Sequence, residues 1–287
     1  MSESGQIKIS SMPAISAIYY ALLQCGYDFF DIERGSGHIE TLRQFALPQC
    51  VPSFFSNTRQ MTCEVYPYWP RAAILETATF YLHPDCVGYE NYDDFRNQVM
   101  GSGNIADNER GSELWNWLAD FPNALKAVLD SAGFEEYLKW EQQWIAQQNC
   151  THKNELTMIR NCLDKCVKQY HSPVQNIQVV INPIKCVYSA DYHMKDNCFI
   201  FSSGAFKAES VIHEFLHHVL HAYILLLKEQ ITQKPCKYPG LDNSYYLAGD
   251  ATGKCNAFEE YAVRCLTKSV MDGNYPSDLM AYLRALL

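Results

Sequence analysis

The sequence lacks a concentration of positive charge. Its 287 residues include 23 lysines and arginines against 32 aspartates and glutamates, for a formal net charge of −9, and no segment is rich in Lys or Arg. Nucleic-acid binding requires a basic surface that neutralises phosphates, so we expect no nucleic-acid partner. With 48% apolar and only 19% charged residues, the composition differs from that of a disordered chain and predicts one or two globular domains.

Long apolar runs are also missing. The most apolar stretch, residues 222–227, is far shorter than the ~18–20 residues of a membrane-spanning helix, so we expect no membrane segment. The N-terminal residues MSESGQIKISSMP show neither the basic nor the apolar region of a signal peptide. We therefore expect a cytoplasmic protein, with export by another route left open. In a reducing compartment the twelve cysteines are expected to be mostly buried thiols.

Helical patterns dominate the chain up to about residue 172. Apolar residues recur there at helical spacing, and the segment 72–82 is apolar on nearly all sides, which is typical of a buried helix or strand. Residues 88–95 are interpreted as an acidic segment and residues 101–104 as a loop. The expected helices are 13–25, 38–47, 114–121, 123–130, 134–148 and 154–170.

The pattern changes after Pro173. Short strands are predicted at 177–181, at the start of 185–192 and at 197–201, with a turn at 194–197. Helices are expected again at 205–229, 256–270 and 277–286, and a loop at 235–254. The sequence therefore predicts an α+β protein, with a mostly helical N-terminal region of unknown role (1–172) and a C-terminal domain (173–287) built on a small sheet.

The segment VIHEFLHHVLHAY contains the pattern H-E-x-x-H at residues 213–217. On a helix, positions i and i+4 share one face about 6 Å apart, so His213 and His217 can converge on one metal ion. Glu214 lies one position round the helix, near enough to reach a water molecule on that ion but not to ligate it. A zinc peptidase needs this arrangement, so we expect Zn²⁺ as cofactor and Glu214 as catalytic base.

A catalytic zinc needs a third protein ligand and one open position. The next strong helix offers Glu259 and Glu260. Glu259 shares its stripe with apolar residues, whereas Glu260 shares its stripe with polar and basic ones. Because an inward carboxylate on an apolar stripe is costly unless it binds a cation, Glu259 is the expected third ligand and Glu260 the alternative.

H-E-x-x-H, followed some forty residues later by E-x-x-A on a second helix, resembles the gluzincin group of zinc metallopeptidases. The resemblance covers roughly residues 175–270 and implies a minimal zincin-like domain. It implies that His213, His217 and Glu259 are the zinc ligands and that Glu214 is the general base. It also implies that the strand at 197–201 is an edge strand that pairs with extended substrate.

The segment EEYA (259–262) is similar to the glutamate helix of lethal-factor-like toxins and minimal gluzincins. Those families often carry a carboxylate four residues after the ligand glutamate, where it supports a ligand histidine. That position is Val263 here, so support for the histidine must come from elsewhere. Residues before 172 match no family pattern.

Several other residues near the motif are candidates for a role. A peptidase must stabilise an oxyanion, and Tyr245 or Tyr246 in the loop before the glutamate helix is the candidate group. His218 points about 100° away from His217 and is not expected to reach the metal. His221 is expected to be a supporting or rim histidine. A structural zinc site could draw on a Cys/His group in residues 150–171, but buried thiols are the preferred interpretation. The group consists of Cys150, His152, Cys162, Cys166 and His171.

The sequence as a whole predicts a zinc metalloendopeptidase that hydrolyses a peptide or protein substrate. One alternative is a catalytically inactive zinc-containing protein whose helical half binds a partner. A second alternative is a toxin-like or effector-like protease that acts on a host protein.

Overall fold

The computed structural model describes residues 6–25, 41–42, 44–45, 53–58, 72–101, 109–235, 237–241 and 251–287. These residues form an α+β fold, as expected. The expected helix at 38–47 lies largely outside the described residues. None of the helices in the described ranges combines the length and the apolar character that a bilayer span requires.

The N-terminal half is helical. Helix α1 begins at Pro13, where the missing backbone N–H costs nothing, and α6 is capped by the Ser131 hydroxyl, which accepts from the backbone N–H of Phe134. Helix α3 was not expected from the sequence. The elements are α1 (Pro13–Gln24), a 3₁₀ turn (Ser53–Asn57), α2 (Ala73–Thr79), α3 (Tyr92–Gly101), α4 (Glu109–Leu118), α5 (Phe121–Leu129), α6 (Ala132–Thr151) and α7 (Lys153–Gln169).

Four strands form one sheet in the order β1-β2-β4-β3, in which only the β3–β4 pair is antiparallel. The strands are β1 (Ile9–Ser10), β2 (Asn176–Ile181), β3 (Asp191–Lys195) and β4 (Cys198–Ser203). β4 is therefore an inner strand, and the expectation that it lies at the edge is wrong. The edge position next to β4 belongs to β3. The expected turn between them is confirmed, since Asp196 and Asn197 have the positive φ angles of a tight hairpin.

The prediction of a strand at the start of 185–192 is also wrong. Residues 182–190 form turns, and β3 begins only at Asp191. The side-chain oxygen of Asn182 accepts hydrogen bonds from the backbone N–H groups of Ile184 and Lys185, at 2.9 and 3.2 Å. This local bonding overrides the β-branched composition. Gly204 passes so close to this turn that an added Cβ would lie 1.9 Å from the Lys185 carbonyl oxygen.

The sheet separates two hydrophobic clusters. Val180 and Ile200 pack with the N-terminal helices. Alternate residues, such as Val179 and Phe199, pack with the C-terminal helices α8 (Ala208–Leu226), α9 (Lys228–Gln233), α10 (Ala251–Met271) and α11 (Leu279–Leu286). Helices α8 and α10 lie side by side, and α8 contacts β3 and β4 of the sheet. The domain boundary near residue 172 stays a prediction, and β1 from the N-terminal region is part of the shared sheet.

Candidate metal centre

Helix α8 presents His213 and His217 one turn apart on one face. The neighbouring apolar residues anchor the helix to the core, and the largest of them, Phe215, is fully buried against Phe199 of β4. Both histidine side chains stay about one-fifth exposed. Their Nε2 atoms lie 3.2 Å apart, so the two rings converge as the helical spacing predicts.

Glu260 of α10 completes a group of three donor atoms. Its Oε2 lies 3.3 Å from Nε2 of His217 and 3.5 Å from Nε2 of His213. Ligands bound at 2.0–2.2 Å to a tetrahedral ion lie roughly 3.2–3.6 Å from one another. The three atoms therefore fit three corners of a tetrahedron around one ion. Among the described residues this is the one such group that could hold a metal ion.

Glu259, the ligand expected from the sequence, contacts the other nitrogen of His217. One carboxylate oxygen lies 2.9 Å from Nδ1 of His217, and the second lies 2.9 Å from Nδ1 of His221. The apolar stripe that holds Glu259 packs against the side of α8 and brings this carboxylate beside the ring. Glu260 lies about 100° further round α10 and reaches the open side. The arrangement favours Glu260 as ligand and Glu259 as supporting carboxylate.

Arg264 explains how Glu260 can belong to a polar stripe and still be largely enclosed. The Arg264 Nε donates to Oε1 of Glu260 at 2.6 Å, and its Nη1 donates to the carbonyl of Gly240 at 2.9 Å. The Glu260 side chain is only 12% exposed. This bond orients one carboxylate oxygen toward arginine and leaves Oε2 for the histidines.

The negative glutamates and the positive form of His217 stabilise one another, and this shifts their pKa values. Burial alone would lower the pKa of His217, but hydrogen bonds to Glu259 and Glu260 outweigh it and raise that pKa to about 9. Burial alone would raise the pKa values of the two glutamates, yet bonds with the histidines hold both below the usual range. At neutral pH the carboxylates are ionised, and His217 must lose a proton to ligate a metal.

Two further residues lie beside this group. Glu214 is half-buried on α8, and its negative charge helps to raise the pKa of His217. Tyr192 of β3 was missed by the sequence reasoning, since nothing in its local pattern distinguishes it from a packing residue. Its ring lies 6.3 Å from the His218 ring of α8. Burial, and then the charges of Glu259 and Glu214, raise the pKa of its hydroxyl.

The other candidate residues lie outside the group of three donor atoms. His218 faces away from the group, with its Nε2 3.4 Å from the Ser172 hydroxyl, and burial lowers its pKa. His221 is a supporting residue through its bond to Glu259. Tyr245 and Tyr246 lie outside the described residues.

The cysteine and histidine residues of 150–171 do not form a metal group among the described residues. Cys162 and Cys166 are buried free thiols on α7, whereas Cys150 is exposed. His152 is paired with Glu155. The preferred interpretation of the α7 cysteines as buried thiols is confirmed by their burial.

Comparison of the chain with models of known protein families, with curated proteins and with solved structures gives no match. The resemblance to gluzincins therefore rests on the motif residues and their spacing.

Proposed function

We propose that the chain is a zinc-dependent metallopeptidase of the gluzincin type. One observation carries the proposal: Nε2 of His213, Nε2 of His217 and Oε2 of Glu260 lie 3.2, 3.3 and 3.5 Å from one another, with Glu214 next in sequence to His213. Without an ion, two imidazole Nε2 atoms at 3.2 Å need a shared proton. If an ion is bound, each of the three donor atoms can give one lone pair to it.

The donor set supports zinc as the metal. Two imidazole nitrogens and one carboxylate oxygen, with a fourth position open, are the protein ligands of many catalytic zinc sites. Magnesium and calcium prefer oxygen donors and higher coordination numbers. In this proposal His213, His217 and Glu260 hold the ion, and Glu259 fixes the orientation of the His217 ring.

The reaction proposed is hydrolysis of a peptide bond. When bound, a zinc ion would polarise the scissile carbonyl and lower the pKa of a water molecule. Glu214 accepts the proton of that water molecule and passes it to the leaving amine. Tyr245 and Tyr246 stay predicted oxyanion-stabilising residues, and Tyr192 is a further group at the side of the site.

The proposal also includes the partners and the location that the sequence predicts. These are a peptide or protein substrate, no nucleic-acid or membrane partner, and a cytoplasmic location. The buried free thiols Cys162 and Cys166 are compatible with a reducing compartment. An acidic chain with a net charge of −9 is not suited to binding phosphates.

The test measures metal content and peptide cleavage on the same full-length protein. The wild-type chain should bind one zinc ion and cleave members of a peptide library in a reaction that a chelator stops and zinc restores. Glu214→Gln should keep the metal and lose at least about 100-fold in turnover, because the proton acceptor is removed but no ligand is changed.

Glu209→Gln is the matched control, since Glu209 is an exposed residue of the first turn of α8. It should leave both metal content and cleavage unchanged. Zinc binding without cleavage of any library peptide would favour the zinc-containing binding protein instead. Failure to bind zinc would overturn both readings.

A further inference from the structure

Edge strand β3 presents two different faces. Asp191, His193 and Lys195 point toward the N-terminal helices, while Tyr192 and Met194 pack with the cluster that contains α8 and α10. Within the described sheet, β3 is paired on one side only, with β4. Its position is therefore fixed by the ladder with β4 on one side and by what its two faces contact.

Helix α2 and the residues that follow it contact the first of these faces. Oε2 of Glu76 lies 2.9 Å from Nε2 of His193, and the Thr77 hydroxyl lies 3.2 Å from Nδ1 of the same ring. Four residues further along the chain, the Tyr81 ring lies 4.6 Å from Nζ of Lys195. The His193 ring is thus held at both nitrogens by two successive residues of α2.

A buried ion group fixes the beginning of β3 to the same helix. Nζ of Lys185 lies 2.7 Å from Oε1 of Glu76 and 2.8 Å from Oδ2 of Asp191. Lys185 and Glu76 are fully buried and Asp191 is 9% exposed. The Tyr19 hydroxyl of α1 also donates to Glu76. Because a buried charge that loses its partner is strongly destabilising, these contacts permit little sliding of β3 along α2.

The other face of β3 contacts helix α8, which bears the candidate metal site. The Tyr192 ring stacks on Phe199 with centroids 5.6 Å apart and lies 6.3 Å from the His218 ring of α8. Glu214, the proposed base, lies one helical turn before His218 on the same side of α8. Any shift of β3 therefore moves Tyr192 relative to the metal group.

We propose that Glu76 and Thr77 are positioning residues for the metal site: through His193 and β3 they hold Tyr192 as the sheet-side wall against which a bound peptide packs. The substrate role of Tyr192 rests on the proposed peptidase function, whereas the fixing of β3 does not. The N-terminal helical region is then part of the substrate-binding structure.

The first experiment measures hydrogen exchange of the β3 amides by mass spectrometry on the full chain, without substrate. Glu76→Gln and Thr77→Val should accelerate exchange in a peptide that covers residues 191–195 by about tenfold, with helix α8 unchanged, because local opening of β3 costs less. Thr77→Val conserves shape and removes only the hydroxyl, so it gives the answer if Glu76→Gln fails to fold.

The matched control is Glu141→Gln. Glu141 is another fully buried glutamate, but its hydrogen bonds are to Ser16, Tyr137 and Asn182, none of which belongs to β3. It should leave exchange of β3 unchanged. Folded variants of Glu76 and Thr77 in which β3 exchanges as in wild type would overturn the positioning role, whether or not the chain cleaves peptides.

The second experiment measures whether the positioning residues act through Tyr192. Tyr192→Ala should raise KM for a cleaved peptide about tenfold with little change in kcat. Thr77→Val should raise KM by several-fold in the wild-type background and leave it unchanged in the Tyr192→Ala background. An equal rise in both backgrounds would overturn the route through Tyr192. If wild type cleaves no peptide, the peptidase proposal fails while the exchange result on β3 still stands.

Discussion

The carboxylate of Glu259 lies 2.9 Å from Nδ1 of His217, on the opposite side of the ring from the nitrogen that faces Glu260. Hydrogen bonds with His217 and His221 keep the pKa of Glu259 below its usual range despite burial, so the carboxylate accepts and Nδ1 must donate. This fixes the tautomer of a neutral His217, with the lone pair on Nε2. The ring is thereby prepared to ligate a metal ion through Nε2.

The two adjacent glutamates should therefore differ in their effect on metal affinity. Glu260→Gln removes a charged ligand and should weaken zinc binding by well over 100-fold. Glu259→Gln keeps an acceptor beside Nδ1 of His217 but removes its charge, and should weaken binding by about 10–100-fold. Competition with a chromophoric chelator at pH 7.5 measures both affinities.

An exposed residue serves as control for this pair. Glu229 lies on α9, outside the metal group, and Glu229→Gln should bind zinc as wild type does. If Glu259→Gln proves the more damaging of the two adjacent changes, the ligand is Glu259, as the resemblance to gluzincins implies.

Zinc affinity should rise with pH. His217 has a pKa of about 9 in the metal-free protein, so it is protonated at neutral pH and must release that proton on binding. Glu260 releases none, since its pKa is held below the usual range. The apparent dissociation constant should fall about tenfold per pH unit between pH 6 and 8. Calorimetry in buffers of different ionisation enthalpy should count about one proton released at pH 7.

Glu259→Gln tests the cause of this dependence. Without the Glu259 charge the pKa of His217 falls, so the rise in affinity should flatten above about pH 7. An affinity that is constant from pH 6 to 8 in the wild-type protein would contradict the ionised pair of His217 and Glu259.

Local spacing could predict the metal helix but not the choice between the two glutamates. His213 and His217 converge because any α-helix places i and i+4 together. The apolar stripe of α10 predicts that Glu259 points inward, and Glu259 is buried. An imidazole N–H, however, satisfies a buried carboxylate as well as a cation does, so an inward glutamate need not be the metal ligand. Which of two adjacent residues reaches the metal depends on how α10 is rotated against α8, which the sequence does not encode locally.

The order of the strands and the contacts of the N-terminal helices also could not be predicted, because they depend on residues far apart in the sequence. The run at 197–201 has the composition of a strand, but its inner position depends on pairing with β2 and β3 together. Glu76 and Lys185 are 109 residues apart in sequence, and nothing in either neighbourhood indicates the other. Helix α3 was missed because its acidic first turn, Asp93 and Asp94, was interpreted as a polar segment rather than as a favourable helix start.

The stability of the metal-free protein should depend on Glu141. The Glu141 carboxyl accepts bonds from Ser16, Tyr137 and Asn182, and among the described residues no cation forms an ion pair with it. Burial outweighs those bonds and raises its pKa from 4.5 to about 7. A carboxyl with a raised pKa holds its proton more tightly in the folded state. Its contribution is therefore complete below about pH 4.5 and is lost as the pH rises toward 7.

Glu141→Gln should remove this dependence, because a neutral amide can keep the bonds to Ser16, Tyr137 and Asn182. Each unit of pKa corresponds to about 1.4 kcal/mol, so the stability of the variant relative to wild type should increase by roughly 2–3 kcal/mol between pH 5 and pH 8. Urea unfolding with chelator present measures the difference. The exposed Glu136 of the same helix provides the control, and Glu136→Gln should run parallel to wild type. Parallel curves for Glu141→Gln would mean that Glu141 is ionised in the folded protein at pH 5.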